Sequence, residues 1–338
     1  MGALTGTGNV PPAVTSWFNR GLLMRATPYL AHGMVSQKKP LKGRSGNQIV
    51  FRRFNALSLA TTPLTEGVTP TGSSLSKTDI SAVLAQYGDY ITASDLVQAI
   101  VESDVLREGT QILAEQTGQT LDALQRDKFA AGTSVFYGGN AANRGAILGA
   151  TQKISTALLD QVIRYFGQQN AKYFNQMISA SDRVSTAPVR PGLWAITTPE
   201  VIFDLDKLES SGWQPVAKYA SQGPVHEAER GAYKNIRFIE STQAKNYPGG
   251  GGSFDSSNAK STGGLADVHT VLIFAREAVG TVPLDNMSLE NIIHPRGTAG
   301  PADPLNQVGT IGWKRTGTEL ILNDNFMTRI ECAVGNTA

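Results

Sequence analysis

Apolar and basic side chains alternate along GNQIVFRRF, residues 46–54. On an extended strand Ile49, Phe51 and Arg53 fall on one face, and Val50, Arg52 and Phe54 on the other. A ribbon that is apolar on both faces does not bury itself; it needs a covering surface on each side. The alternation stops at a Pro/Thr/Gly stretch that includes Pro63–Pro70, and Ser81–Ile91 reads as the return strand. Ser94-Asp95 supplies polar cap residues for a helical start ahead of Leu96, Val97, Ile100 and Val101. From Val105 to about Ala131 there is no proline. Leu106, Leu113, Leu121, Leu124 and Phe129, with Thr110 and Thr117, form one stripe, which predicts an amphipathic helix about 40 Å long.

Further along, the glycine- and asparagine-rich stretch 132–149 predicts a loop or hairpin. Ser155 predicts the cap of a second helix reaching about Asn170, with Leu158, Leu159, Val162, Ile163 and Phe166 inward. Pro188–Pro191 marks a lobe boundary. Leu193–Ile196 reads as a short buried strand, and Pro199–Leu208 as a short helix with proline in its first turn. Ile236–Ser241 and Val268–Ala275 read as strands. Pro248–Gly264, PGGGGSFDSSNAKSTGG, lacks core-forming residues and predicts a flexible surface loop. Thr310–Val334 alternates like two long antiparallel strands joined near Asn323–Asn325, with Trp313 as a packing anchor. Ahead of all this, residues 1–45 read as an arm. One short helix fits Ala13–Met24, carrying Val14, Trp17, Phe18 and Leu22, between breaks at Pro11-Pro12 and Pro28.

Composition narrows the classes. At 338 residues and 41% hydrophobic content the chain can bury a real core, and two packed lobes are expected. The single cysteine, Cys332, excludes an intrachain disulfide, so packing or assembly supplies the stability; its apolar neighbours predict a buried side chain. No apolar run approaches the roughly 18–20 residues of a membrane helix. Met1–Val10 does not read as a secretion signal, and the absence of a long helical segment ahead of the arm argues against a large fused scaffold. Net charge is +2 but unevenly placed. Residues 1–65 hold eight Lys/Arg (Arg20, Arg25, Lys38, Lys39, Lys42, Arg44, Arg52, Arg53) and no Asp or Glu, and the remainder carries −6. A basic arm on a mildly acidic body suits docking onto copies of itself; contact with nucleic acid and simple solvation are the two other readings.

Catalytic and ligand-binding patterns fail on spacing. His32, His226, His269 and His294 are scattered, and none stands at i,i+4 from another or beside Cys332. Gly6-Thr7-Gly8 has neither a preceding strand nor a third glycine. Ala259-Lys260-Ser261-Thr262 lacks the glycines of a phosphate loop, and there is no Gly-x-Ser-x-Gly elbow. Asn286-Met287-Ser288 fits a glycosylation acceptor without a secretion signal, and reads as chance. Asp204/Asp206 and Glu227/Glu229 read as solvated turns rather than acid/base pairs. No cofactor, metal or catalytic residue is expected; a hydrolase site assembled from distant residues is the remote rival.

Several short blocks fall in a telling order. They are Gly46–Phe54 followed by Pro63-Leu64-Thr65-Glu66-Gly67-Val68-Thr69-Pro70; Gln86-Tyr87-Gly88; Leu113, Glu115, Gln116, Thr120, Leu121 and Asp122; Gly231–Ser241; and His294-Pro295, Asp303–Gln307 and Gly312-Trp313-Lys314. Over most of residues 46–320 the chain resembles the N-four-type family of tailed-phage major capsid proteins. The resemblance implies an α+β Hong Kong 97-type capsid fold. Its parts would be an N-terminal arm (1–45), an extended β loop (46–92), a peripheral domain with a long spine helix (93–190), an axial domain (191–308) and closing strands (309–338) returning to the peripheral domain. It implies a virion protein, made in the host bacterial cytoplasm, whose hexamers and pentamers form an icosahedral shell around double-stranded DNA, with portal, scaffold or decoration proteins as further partners. Trp17, Phe18, Arg52, Arg53 and Glu66 are then the expected intersubunit contacts. The alternative with the same fold is an encapsulin-like nanocompartment shell around a protein cargo.

Overall fold

The structure is a computed structural model that describes residues 31–44, 46–69, 71–94, 105–174, 191–219, 226–254, 259–285, 287–294 and 307–336. The arm helix with Trp17 and Phe18, the helical start from Asp95, the boundary at 188–190, Gly6–Gly8 and Asn286 lie outside the described residues. The chain is mixed α+β, with several sheets and, among the described residues, three α-helices.

The first half holds β1 (Gln37–Lys38), β2 (Gln48–Phe54), β3 (Lys77–Val83), β4 (Ala85–Ser94), helix α1 (Val105–Phe129), β5 (Val135–Tyr137) and α2 (Thr156–Gln168). Next come β6 (Leu193–Thr197), α3 (Pro199–Asp206), β7 (Trp213–Pro215), β8 (Glu229–Tyr233), β9 (Ile236–Glu240), β10 (Asn246–Tyr247), β11 (Ser261–Thr262) and β12 (Leu265–Ala266). The last stretch holds β13 (Val268–Phe274), β14 (Val279–Pro283), β15 (Glu290–His294), β16 (Val308–Ile321) and β17 (Met327–Ala333).

An eight-stranded sheet runs β5-β17-β13-β6-β9-β8-β7, with β10 beside β13. Its central strand β13 is buried along its whole length because both faces are covered. On one face Val271, Ile273, Ile330 and Phe238 meet Leu158, Leu159, Val162 and Phe166 of α2 and Val201 and Leu205 of α3. On the other, Leu272, Phe274, Ile196 and Ile239 meet Phe129 at the end of α1, with Phe129 and Phe274 edge to face at 5.7 Å. The Ser155 hydroxyl caps α2 by accepting from the Leu158 N–H, and Pro199 opens α3 where no N–H is needed. Cys332 is fully buried in the α2 core; burial pushes its thiol up to about 12.

A second sheet runs β1-β14-β16-β15, with β4 on the other side of β16. Leu113 and Ala114 in mid-α1 pack on Ile311 and Trp313 of β16, and the Trp313 Nε1–H donates to Gln116 Oε1 at 3.3 Å. α1 spans about 37 Å and is therefore shared: its middle supports this sheet and its end enters the core of the other.

Four expectations need correction. First, Ser81–Ile91 is not one return strand. β3 pairs with β2, and β4 then leaves to pair with β16 over Ala85–Ser94. Second, β16 and β17 are consecutive but lie in different sheets, parted by a turn in which the Asp324 carboxylate accepts from the Thr133 N–H. Third, the glycine run after Pro248 is a close-packed seam. The Gly251 N–H donates to Ala266 O and the Gly252 N–H to Ile147 O, both at 2.9 Å. A Cβ on Gly251 would stand 2.4 Å from Ile147 O, and one on Gly252 2.4 Å from Gly145 O, so the backbones meet where no side chain fits. Fourth, Asp204 and Glu229 are buried acceptors rather than solvated turn residues. Asp204 accepts from the Gly335 N–H and Lys207 Nζ, and Glu229 from Arg237 Nη1 and the Tyr219 hydroxyl.

Candidate assembly surface

Strands β2 and β3 form an antiparallel hairpin in full register, Gln48 opposite Val83 through Phe54 opposite Lys77. Its inner face is held by the body. Ile49, Phe51 and Ile80, with buried Ala82, pack against Leu41, Val282, Leu320 and Leu322 beside β14 and β16. The expectation that both faces lack a cover is thus met on one face only. On the opposite face Val50 is 51% exposed and Phe54 62%.

Beyond the paired strands, Asn55 closes the loop. Its N–H donates to Ser76 O, its amide to Ser76 Oγ, and its side-chain oxygen accepts from Thr78 Oγ1. At the far end the Val68 N–H returns to Thr65 O, with Glu66 and Gly67 in the turn; Gly67 has φ +77°, a conformation glycine adopts without strain. Between these fixed points Leu57, Leu59, Leu64, Val68 and Leu75 all face solvent, Leu59 at 87%. Eight of the fourteen exposed large hydrophobic side chains among the described residues fall between 50 and 83. Such a concentration exceeds the scattered apolar exposure of a solitary globule and marks a surface awaiting a partner.

Charge on the hairpin is partly committed. Arg52 grips Asp79 with two bonds, Nε to Oδ1 at 2.8 Å and Nη2 to Oδ2 at 3.1 Å, and Lys77 adds a contact at 3.3 Å. Those guanidinium bonds hold the Asp79 carboxyl below the usual carboxylate range and raise Arg52 in turn. Arg53 and Glu66 are exposed, Arg53 beside Arg52 on the strand and Glu66 at the distal turn. Of the expected contact residues, then, Arg52, Arg53 and Glu66 share one hairpin, with Arg52 engaged within its own chain. The apolar side chains of the loop, Leu57 and Leu59 above all, were not picked out as contacts by the sequence reading. Their signal was two leucines one residue apart in a polar stretch with no face to bury them.

Among the described residues no group of three or more His, Cys, Asp or Glu lies close enough to hold a metal. His32 and His269 are buried in hydrogen bonds to Asp122 and Thr198, and Lys260, in the stretch that lacks the glycines of a phosphate loop, pairs with Glu200.

No family model and no curated protein matches the chain. Solved structures do. The capsid of Ralstonia phage GP4 aligns with a TM-score of 0.64 at 13% identity, covering 90% of this chain and 88% of that one. The Cyanophage Pam1 capsid aligns at 0.56 and 14%, covering 91% and 92%. The capsid of Cyanophage P-SCSP1u aligns at 0.56 and 13%, covering 88% and 86%. The fold is that of phage capsid proteins. The alignments span nearly the full length of both partners.

Proposed function

We propose that this chain is a tailed-phage major capsid protein of the N-four type, with a Hong Kong 97-type fold, and that many copies assemble into the icosahedral head shell around double-stranded DNA. The observation that carries this reading is an anchored hairpin with an uncovered apolar loop on a fold shared with phage capsids. The hairpin is the extended loop and α1 the spine helix of the peripheral domain; of the closing strands, β16 joins the sheet that α1 supports and β17 pairs with β13 of the axial segment. The role is structural. Function resides in many weak interfaces summed over a closed lattice rather than in a reaction centre. Arg53, Glu66 and the exposed leucines contact a neighbouring copy, as do Trp17 and Phe18 of the arm, and Arg52 shapes the strand that presents them. The protein is made in the host cytoplasm and resides in the virion. The nanocompartment alternative has no observation in its favour, the aligned structures being phage capsids.

Negative-stain electron microscopy of the purified full-length protein tests this. Closed shells or capsomers of uniform size are expected. A monodisperse monomer that stays single when mixed with the other virion proteins overturns the reading.

A further inference from the structure

The segment 31–44 is a rigid ledge with one sign of charge. Its start is locked by His32, whose N–H and Nδ1 both bond Asp122 of α1 at 2.9 Å, with both side chains fully buried. Buried Val35 and the bond between the Thr281 and Ser36 hydroxyls hold the middle. Lys38 pairs with Thr281 as β1 joins β14 in parallel, the Lys39 N–H donates to Thr281 O, and the Leu41 N–H donates to Pro283 O. Lys38 and Lys39 on this pinned backbone, and Lys42 and Arg44 just beyond its last anchor at Leu41, are all exposed to solvent. None of the four is ion-paired to a carboxylate among the described residues. Lys39 stands 5.8 Å from the Phe51 ring, and the acidic residue joined to the ledge by backbone is Asp285, through its N–H to Leu41 O. A mobile basic tail would be solvated at little cost. Four cations without a carboxylate partner, held within seven residues on or next to anchored backbone, repel one another, and that repulsion is relieved when a polyanion binds.

We propose that this ledge binds the phosphate backbone of duplex DNA without sequence preference. The inference rests on the capsid reading and specifies one of its partners. Composition favours nucleic acid over an acidic face of a neighbouring subunit. Lysine is depleted from protein–protein interfaces, where arginine is preferred, whereas a strongly hydrated point charge on a flexible stem suits phosphates that offer no fixed register. Three of the four cations here are lysines. The ledge also carries no large exposed apolar side chain besides Met34 to seal a protein contact.

The test is fluorescence anisotropy of a labelled random-sequence duplex of about 20 base pairs with full-length unassembled protein, titrated at several salt concentrations. Four phosphate contacts add about 3–4 to the log–log salt slope, equivalent to about 100-fold in affinity between 50 and 200 mM salt. The combined variant Lys38→Gln, Lys39→Gln, Lys42→Gln and Arg44→Gln is expected to lose that increment while its thermal unfolding stays unchanged. Neutralising Lys207, Lys218 and Lys234, exposed lysines paired with Asp204, Glu209 and Asp160 away from the ledge, leaves the slope as it was. An unchanged slope in the ledge variant overturns the proposal, as does loss of binding to polyglutamate with duplex binding intact. Electron microscopy of each protein under assembly conditions separates the two claims: shells or capsomers from both proteins with an unchanged slope in the variant reject the ledge alone, and a parent protein that stays monomeric even with the other virion proteins rejects the capsid reading whatever the slope.

Discussion

Asp122 carries both of its carboxylate oxygens to one partner, His32, which lies ninety residues earlier. Neither side chain reaches water, so removing the acceptor strands two buried donors. Asp122→Ala is expected to cost about 2–4 kcal/mol, and Asp122→Asn, which keeps one acceptor, about 1 kcal/mol, read by urea unfolding. His269 presents a different case. Burial is the leading cause that holds its imidazole below the ordinary value, reinforced by Lys260 and opposed by Glu200, Asp267 and Asp204. The unfolded chain therefore takes up the proton first. The stability tied to this group is complete above the unfolded value of about 6.5 and is lost as pH falls from there toward the folded value. Unfolding at pH 7.5 and 5.5 should show that loss, and His269→Asn, which retains a partner for Thr198, should show a smaller one. Equal losses in the two proteins would refute the assignment.

Among the elements, the hairpin separates stability from assembly. Its base contributes to the core beside β14 and β16, whereas Leu59 and Leu64 touch nothing that the fold requires. Leu59→Asp with Leu64→Asp should shift unfolding by less than about 0.5 kcal/mol per site and yet abolish shells by electron microscopy; shells of normal size and number would remove the loop from the interface. The elements also show where reading the sequence succeeds and where it stops. The Leu113–Leu121–Phe129 stripe, the Ser155 cap, the proline opening α3 and the apolar run of β13 are local patterns, and each folds as its pattern dictates. Partner choice is not local. No glycine or proline marks the switch at Leu84 from the hairpin to β16, so alternation alone runs β3 and β4 together. The short turn at 324–326 reads as a hairpin because nothing in its own residues reveals that Asp324 is held by Thr133. The Gly250–Gly252 seam misleads for a related reason: the missing side chains that suggest a loop are what let two backbones touch. For the assembly surface, the sequence exposed the ribbon and its charges, but only packing reveals that one face is already occupied.

For the molecule as a whole, α1 ties the two sheets together, and the hairpin stands on the sheet that α1 supports at mid-length. A free subunit should consequently be cut by proteases within residues 55–76 well before either sheet, and the same bonds should be protected in shells; equal cleavage of shells and subunits, judged by mass spectrometry, would contradict a shared contact there. The way the hairpin is rooted has a mechanical corollary. In a shell of the proposed kind, pressure from packed genome would push every subunit outward, and a neighbour gripping the loop would resist by pulling on it. That tension would pass through Ile49 and Phe51 into the strands β14 and β16 and on to the helix behind them, rather than into a slack tether, so the stiffness of such a container would be set inside each building block as well as at its seams.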